Sequence, residues 1–342
     1  MKDRVVAMIR MQIVFLLPLL AGCWTSHGPE VVVYTAQDEE YAKPIFEDFK
    51  TATGIEVRAK FDSESAKTVG LANEIAAEAA RPQCDVFWNN EILLTLRLAR
   101  QGLLDVYHPK IAERYPAMYR AKDGQWHGFA ARARVLLVNT KRLTKQQRPK
   151  SILDLTDARF KGRIGMAKPL FGSTATHAAC LFATWGDEKA RQFYDKLKAN
   201  EVKILSGNKQ VAGAVSSGQI DFGITDTDDS YEEIQAGRPV EIVYPDQGEG
   251  QIGTLYIPNT LAIIKGSPNA KEARKLVDYL LSPEIEGRLA LGPSAQVPLN
   301  PDVTVESPIE SPRKIRAMQV DFEKAAEKWD NVAKFLHERF AL

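Results

Sequence analysis

The chain has little of what several kinds of chemistry depend on. Three cysteines in 342 residues are too few for a disulfide framework, and no Cys-x-x-Cys pair or Cys/His cluster has the spacing of a zinc site. Histidine is scarce at five, and no Gly-x-Ser-x-Gly or His-Glu-x-x-His run supplies a nucleophile with its base or a metalloprotease centre. An exported hydrolase is therefore a minor alternative that would have to work through a carboxylate pair such as Asp226 and Asp228, and no enzyme is expected. Charge of one sign is missing too: 45 Lys and Arg stand against 44 Asp and Glu, a net +1. No global field draws nucleic acid. Beyond the amino terminus no run approaches the roughly 20 apolar residues of a spanning helix.

What is present describes a globular body with an address label. At 44% hydrophobic and 26% charged residues the chain is in the range of folded proteins, and its length suits two domains of about 150 residues. Lys2, Arg4 and Arg10 precede a short apolar stretch from Ile13 to Ala21, the tripartite form of an export signal. The stretch ends in Leu20-Ala21-Gly22-Cys23, which resembles the lipobox of bacterial lipoproteins, so residues 1–22 read as a signal peptide and Cys23 as the lipid-bearing first residue of the mature chain. Trp24 to Glu30 reads as a tether. The expectation is an exported body held at a membrane by lipid alone.

The body alternates short β-branched runs with helical patterns. Val31 to Tyr34, Ile55 to Phe61 and Cys84 to Trp88 read as strands, separated by a helix carrying Tyr41, Ile45, Phe46 and Phe49 on one face and another from Val69 to Ala80. Val135 to Val138, Ile164 to Ala167, Ile220 to Thr225, Val240 to Tyr244 and Thr260 to Ile264 continue the strands, with helices from about Thr176 to Thr184 and from Lys189 to Ala199. Such alternation predicts mostly parallel sheets flanked by helices, an α/β fold. Ala273, Leu276, Val277, Leu280 and Leu281 mark an amphipathic helix that Ser282-Pro283 ends. Pro293 to Pro312 is an irregular connector, and Arg313 to Phe340 carries apolar residues at helical spacing, a helix docked on a lobe. No Pro/Gly-rich linker divides the chain, so it should cross between lobes more than once.

Several segments are, in order, similar to ferric-ion-binding proteins, the periplasmic solute-binding components of bacterial iron ABC importers. VVVYTAQDEEYAKPIFEDFKTATGIEV resembles their opening; DVFW at Asp85 to Trp88, RARVLLVNT at Arg132 to Thr140, SILDLTDARFKGRIGMAKP at Ser151 to Pro169, YPDQGEGQIGTLYIPNTLAIIKGSPN and EARKLVDYLLSPE complete the match from about residue 31 to 300. The resemblance implies a two-lobed type 2 periplasmic-binding-protein fold. Residues 31–130 with about 255–300 would form lobe 1, about 131–254 lobe 2, and 301–342 a helical segment packed on a lobe. It also implies a ligand cleft between the lobes, hinge strands crossing twice, an ABC permease as partner, and a monomer.

The implied metal ligands of that family are a His after the first strand, a Glu in the second helix region and two adjacent Tyr in the second lobe. Here Tyr34-Thr35-Ala36-Gln37-Asp38 stands where the His is expected, Val69 where the Glu is, and Thr227 and Asp228 where the Tyr pair is. Asp38, Asp226 and Asp228, with Tyr231 a few residues on, are the candidate metal-facing groups, and Thr227 and Asp229 join them as ligand contacts. Hard trivalent iron favours anionic oxygen. The competing assignment makes the acidic run a helix cap. For an accompanying phosphate or carbonate, Gly172-Ser173-Thr174 offers backbone N–H groups at a helix start. On the family's anion positions fall Ser173, Thr174, Ala175 and Asn208. Arg132 and Arg134 can grip a carboxylate or phosphate with two bonds, or serve as inter-lobe salt bridges. Asn89 and Glu91 lie at a strand's carboxyl end, where open α/β sheets place ligands. His177 reads as structural. Ferric ion with a synergistic anion is the first cargo expected; a phosphorylated, phosphonate or other small organic anion without iron is the alternative, and a ligand-free sensory lipoprotein a further one.

Overall fold

The computed structural model describes residues 28–62 and 69–340; Cys23 and the segment expected to be an export signal lie outside them. The elements run β1 (Glu30–Thr35), α1 (Glu39–Thr53), β2 (Glu56–Phe61), α2 (Val69–Ala77), β3 (Val86–Asn89), α3 (Leu93–Arg100), β4 (His127–Asn139), β5 (Ile164–Ala167), α4 (Gly172–Trp185), α5 (Asp187–Ala199) and β6 (Lys203–Leu205). Then follow α6 (Asn208–Ser216), β7 (Phe222–Asp226), α7 (Thr227–Gln235), β8 (Val240–Val243), β9 (Tyr256–Ile263), α8 (Ala270–Leu280), α9 (Pro283–Leu291) and α10 (Phe322–Phe340).

Two sheets share one strand. The first runs β2-β1-β3-β9-β4, parallel at β2-β1-β3 and antiparallel where β9 and β4 join. In the second, β4 lies between β8 and β7, and β5 and β6 follow in parallel. The thirteen buried residues of β4 divide between them: His127 to Ala133 pair with β9, and Arg134 to Val138 pair with β7. The chain thus crosses at Ala133-Arg134 and returns at Leu255-Tyr256, where Arg134 N–H donates to Leu255 O. This is the two-lobed α/β architecture with crossing strands.

Just before the crossing β4 bulges at Ala130, whose φ of 40° is strained for a residue with a Cβ. The strain is held from outside the strand: Ala130 N–H donates to the buried Glu286 carboxylate at 2.5 Å, and Asn259 Nδ2 donates to Ala130 O. Burial raises the Glu286 carboxyl's pKa, while backbone donors from Ala130, Leu299 and Asn300 act the other way.

Several differences from the sequence expectations have local causes. Helix α4 begins at Gly172 rather than near Thr176, because its first turn is built of small residues with almost no hydrophobic signature. Ser282-Pro283 ends α8 but also starts α9, with the Ser282 hydroxyl accepting from Ile285 N–H and Pro283 in the first turn. The final helix starts at Phe322, not Arg313: Met318 N–H donates to Thr254 O and Ala317 bridges Thr254, so this part of the chain is extended. Strand β6 has only three residues and went unread. Helix α10 packs on both α3 and α4, placing Phe322 against Tyr119 and Phe335 against Phe182. Cys84 and Cys180 are buried and unpaired. No helix among the described residues is long and apolar enough to cross a membrane.

Candidate functional site

A cleft of about 920 Å3 opens between the helices of the two sheets. From the first sheet's side come Asp38, Glu39, Glu40 and Tyr41 at the start of α1, and Asn90 after β3. From the other side come Lys168, the first turn of α4, the first turn of α6, and Asp226, Asp228, Asp229 and Glu232 around α7, while Arg132 enters from β4. The placement follows from strand topology: β1, β5 and β7 all end at this face, so α1, α4 and α7 present their amino ends to the cleft.

The acidic run is assembled by the β7–α7 junction. The strand ends at Asp226 and the helix begins at Thr227, and carboxylate oxygens of Asp226, Asp228 and Asp229 lie within 4.8 Å of one another. Asp226 occupies the capping position, yet its side chain makes no capping bond. It is committed to Arg134, whose guanidinium lies 2.6 Å away, and it also accepts from Ser173 Oγ and from Asn208 Nδ2 at 2.9 Å. Arg134 is wholly buried and is surrounded by Asn208 Oδ1 at 3.1 Å, Thr174 Oγ1 at 3.2 Å and Ser173 Oγ at 3.3 Å.

One step along β4, Arg132 pairs with Asp228 at 3.1 Å on the cleft wall. Burial raises the Asp228 carboxyl's pKa and Arg132 offsets part of that rise. Thr227 does not face the cleft: its hydroxyl accepts from Ala133 N–H at 3.0 Å and fixes α7 to the crossing strand. At α4, Ala175 N–H already donates to Phe171 O, which leaves Gly172, Ser173 and Thr174 to supply backbone donors. Neither α4 nor α6 has an acidic residue of its own in the first turn or a side-chain cap; the Asp226 carboxylate reaches both amino ends through Ser173 and Asn208, and their backbone N–H groups face the cleft.

Of the residues singled out from sequence, Asp38, Arg132, Ser173, Thr174, Asn208, Asp226, Asp228 and Asp229 come together around this cleft, Asp38 on the first sheet's side and the others opposite or on β4. The others are placed elsewhere. Glu91 is buried and caps α3, accepting from Leu93 and Leu94 N–H at 2.7 and 3.0 Å and from Thr176 Oγ1 at 2.8 Å; Asn89 Nδ2 donates to Glu91 and to Thr95. Tyr231 packs part-buried against the apolar core. His177 is buried beside Arg134, and desolvation, with the neighbouring guanidinium, pushes its pKa well below the usual imidazole range. The sequence reading passed over Glu39, Glu40, Tyr41, Lys168, Lys209 and Glu232. The first three immediately follow Asp38, and adjacency to a strand end was the available signal.

With this geometry in place, comparison assigns the family. The chain belongs to the bacterial extracellular solute-binding proteins, whose profile matches residues 92–337. It is 28% identical over 319 residues to the major ferric iron-binding protein of Neisseria meningitidis, covering 91% of this chain and 94% of that one. It is 26% identical over 300 residues to a putative 2-aminoethylphosphonate-binding periplasmic protein of Salmonella typhimurium, covering 86% and 84%. The fold matches iron-bound HitA from Pseudomonas aeruginosa with a TM-score of 0.81 at 24% identity, over 90% of this chain and 99% of that one.

Proposed function

We propose that this chain is the extracytoplasmic solute-binding component of an ABC importer, anchored through lipid on Cys23, working as a monomer against a membrane permease, and carrying ferric ion together with a small anion. The observation that carries the cargo assignment is the convergence of three carboxylates, Asp226, Asp228 and Asp229, within 4.8 Å in a cleft that also receives the uncapped amino end of α4. Because Asp226 is already committed to Arg134, the oxygen donors for iron are Asp228 and Asp229, with Asp38 from the opposite wall. The anion would take the backbone N–H groups of Ser173 and Thr174. Names of the relatives support the role: each is a binding protein, and the Neisseria protein is named for ferric iron.

A second cargo is favoured by one contact. The Arg132–Asp228 pair at 3.1 Å makes a metal compete with a guanidinium for Asp228, whereas a phosphonate or phosphate ester bearing an amine could use both groups as they stand. The Salmonella relative is named for such a solute. Tyr41, a phenol on the cleft wall, is held protonated by burial and by neighbouring Glu40 and Glu232, which disfavours a phenolate ligand.

The test is metal analysis of protein purified without chelator, followed by titration with ferric ion plus phosphate or carbonate. The expected result is about one iron per chain with no visible charge-transfer band, lost on Asp228→Asn. A strong band would move the site to a tyrosine. Absence of iron with retention of 2-aminoethylphosphonate would replace the ferric cargo by the organic anion.

A further inference from the structure

Among the described residues, side-chain hydrogen bonds join the two sides of the cleft at two places with opposite surroundings. Near the strand crossing, Thr176 on α4 donates to Glu91 at the head of α3 at 2.8 Å, with both residues buried. At the rim, Tyr41 Oη on α1 donates to Glu232 Oε1 on α7 at 3.2 Å, and the other oxygen of Glu232 pairs with Lys209 Nζ on α6 at 3.0 Å. Side chains at the rim are wet: Glu232 is 36% exposed and Lys209 63%. All three rim residues line the cleft.

We propose that Tyr41 is a positioning residue that latches the rim of the cleft through Glu232, and that the buried Glu91–Thr176 bond is the fulcrum about which the lobes part. The asymmetry of replacement decides which contact opens. When α1 and α7 separate, the Tyr41 hydroxyl and the Glu232 carboxylate exchange each other for water, so only the net worth of one hydrogen bond, roughly fivefold in the ratio of states, is lost. When α3 and α4 separate, the buried Glu91 carboxyl loses one of its donors, which costs more than the loss of a bond between wet side chains. Lys209 holds one Glu232 oxygen and leaves the other facing Tyr41. Burial and the neighbouring acids keep the phenol protonated, so it remains a donor at neutral pH. The latch therefore belongs to solute retention rather than to solute contact. The inference rests on the reading that the cleft holds a solute, but its test needs no cargo.

Exposed Lys43 on α1 and Gln235 at the end of α7 can carry spin labels as Lys43→Cys and Gln235→Cys in the full chain with Cys23→Ser, because Cys84 and Cys180 are buried. Electron–electron resonance then gives the inter-lobe distance distribution. Tyr41→Phe is expected to raise the open-to-closed ratio roughly fivefold, the effect of one net hydrogen bond. Glu232→Ala should do the same, and the double variant should add nothing further. An unchanged distribution in Tyr41→Phe, or shifts from the two variants that simply add, overturns the latch. A protein that binds neither ferric ion nor an organophosphonate would still give the expected shift, so failure of the cargo assignment and failure of the latch are separately visible.

Discussion

Arg132 and Arg134 leave β4 on the same face, two residues apart, and meet Asp228 and Asp226 around the β7–α7 junction. Chemically the two rungs are the same ion pair. Physically they have separate fates. The Arg134 guanidinium is wholly buried and bonded to Asp226, Asn208, Ser173 and Thr174, so its charge is spent inside the wall. Arg132 pairs with Asp228 on the cleft surface, with side-chain exposures of 11% and 19%. One rung builds the floor that shapes the cleft, and the next stays available to a solute. What separates them is position along the crossing strand: Arg134 pairs in register with Asp226 inside the second sheet, whereas Arg132 lies where β4 is still paired with β9.

The comparison breaks most visibly at the buried rung. Arg134→Met leaves Asp226 charged, buried and without its cation, and should destabilise folding by about 3–5 kcal/mol. The double variant Arg134→Met/Asp226→Leu should recover most of that loss, because removing both charges also removes their desolvation cost. Denaturation midpoints of the three proteins test this, and a single variant within about 1 kcal/mol of wild type would mean that the buried pair is not structural. At the cleft rung, Arg132→Met should cost clearly less stability than Arg134→Met, because Asp228 keeps some exposure to the cleft whereas Asp226 is buried. Affinity for an anion should fall about ten- to hundredfold, the effect of a lost charge-assisted bond. It is read with phosphate in the presence of ferric ion, or with 2-aminoethylphosphonate alone.

How much of this was legible in sequence depends on whether hydrophobicity or tertiary placement buries a residue. Val31 to Tyr34 and Ile164 to Ala167 are apolar runs and were read as strands, whereas β4 was read only at Val135 to Val138. Its first half, with His127, Gly128, Arg132 and Arg134, is buried because two sheets enclose it, not because it is apolar. The acidic run, the arginine pair and Gly172-Ser173-Thr174 were visible as unusual polar residues at strand or helix ends. That Asp226 is consumed by Arg134 was not, since it follows from the pairing of residues 92 positions apart. Lys209 and Glu232 escaped for the same reason: on α6 and α7 they look like ordinary solvated charges, and only the packing of those helices brings them to the cleft.

The smallest expected effect sharpens the comparison furthest, because it tests a sign. Burial raises the pKa of the Asp228 carboxyl, and Arg132 undoes only part of that. A carboxyl whose folded pKa is raised holds its proton more tightly folded than unfolded. Its ionisation therefore costs stability, in full above the folded value, and the cost shrinks to nothing as pH falls from that value to the unfolded one. Asp228→Asn keeps an oxygen for Arg132 while shedding the charge. It should be slightly more stable than wild type at pH 7, by less than about 1 kcal/mol, with the gap closing toward the ordinary carboxylate pKa near 4. Urea denaturation of both proteins across that range measures the gap. If Asp228→Asn is instead destabilised at neutral pH by as much as Arg134→Met, the cleft rung is structural as well. Arg132 and Asp228 would then hold the wall rather than a solute, and the cargo would have to be sought at Asp38, Asp229 and the amino ends of α4 and α6.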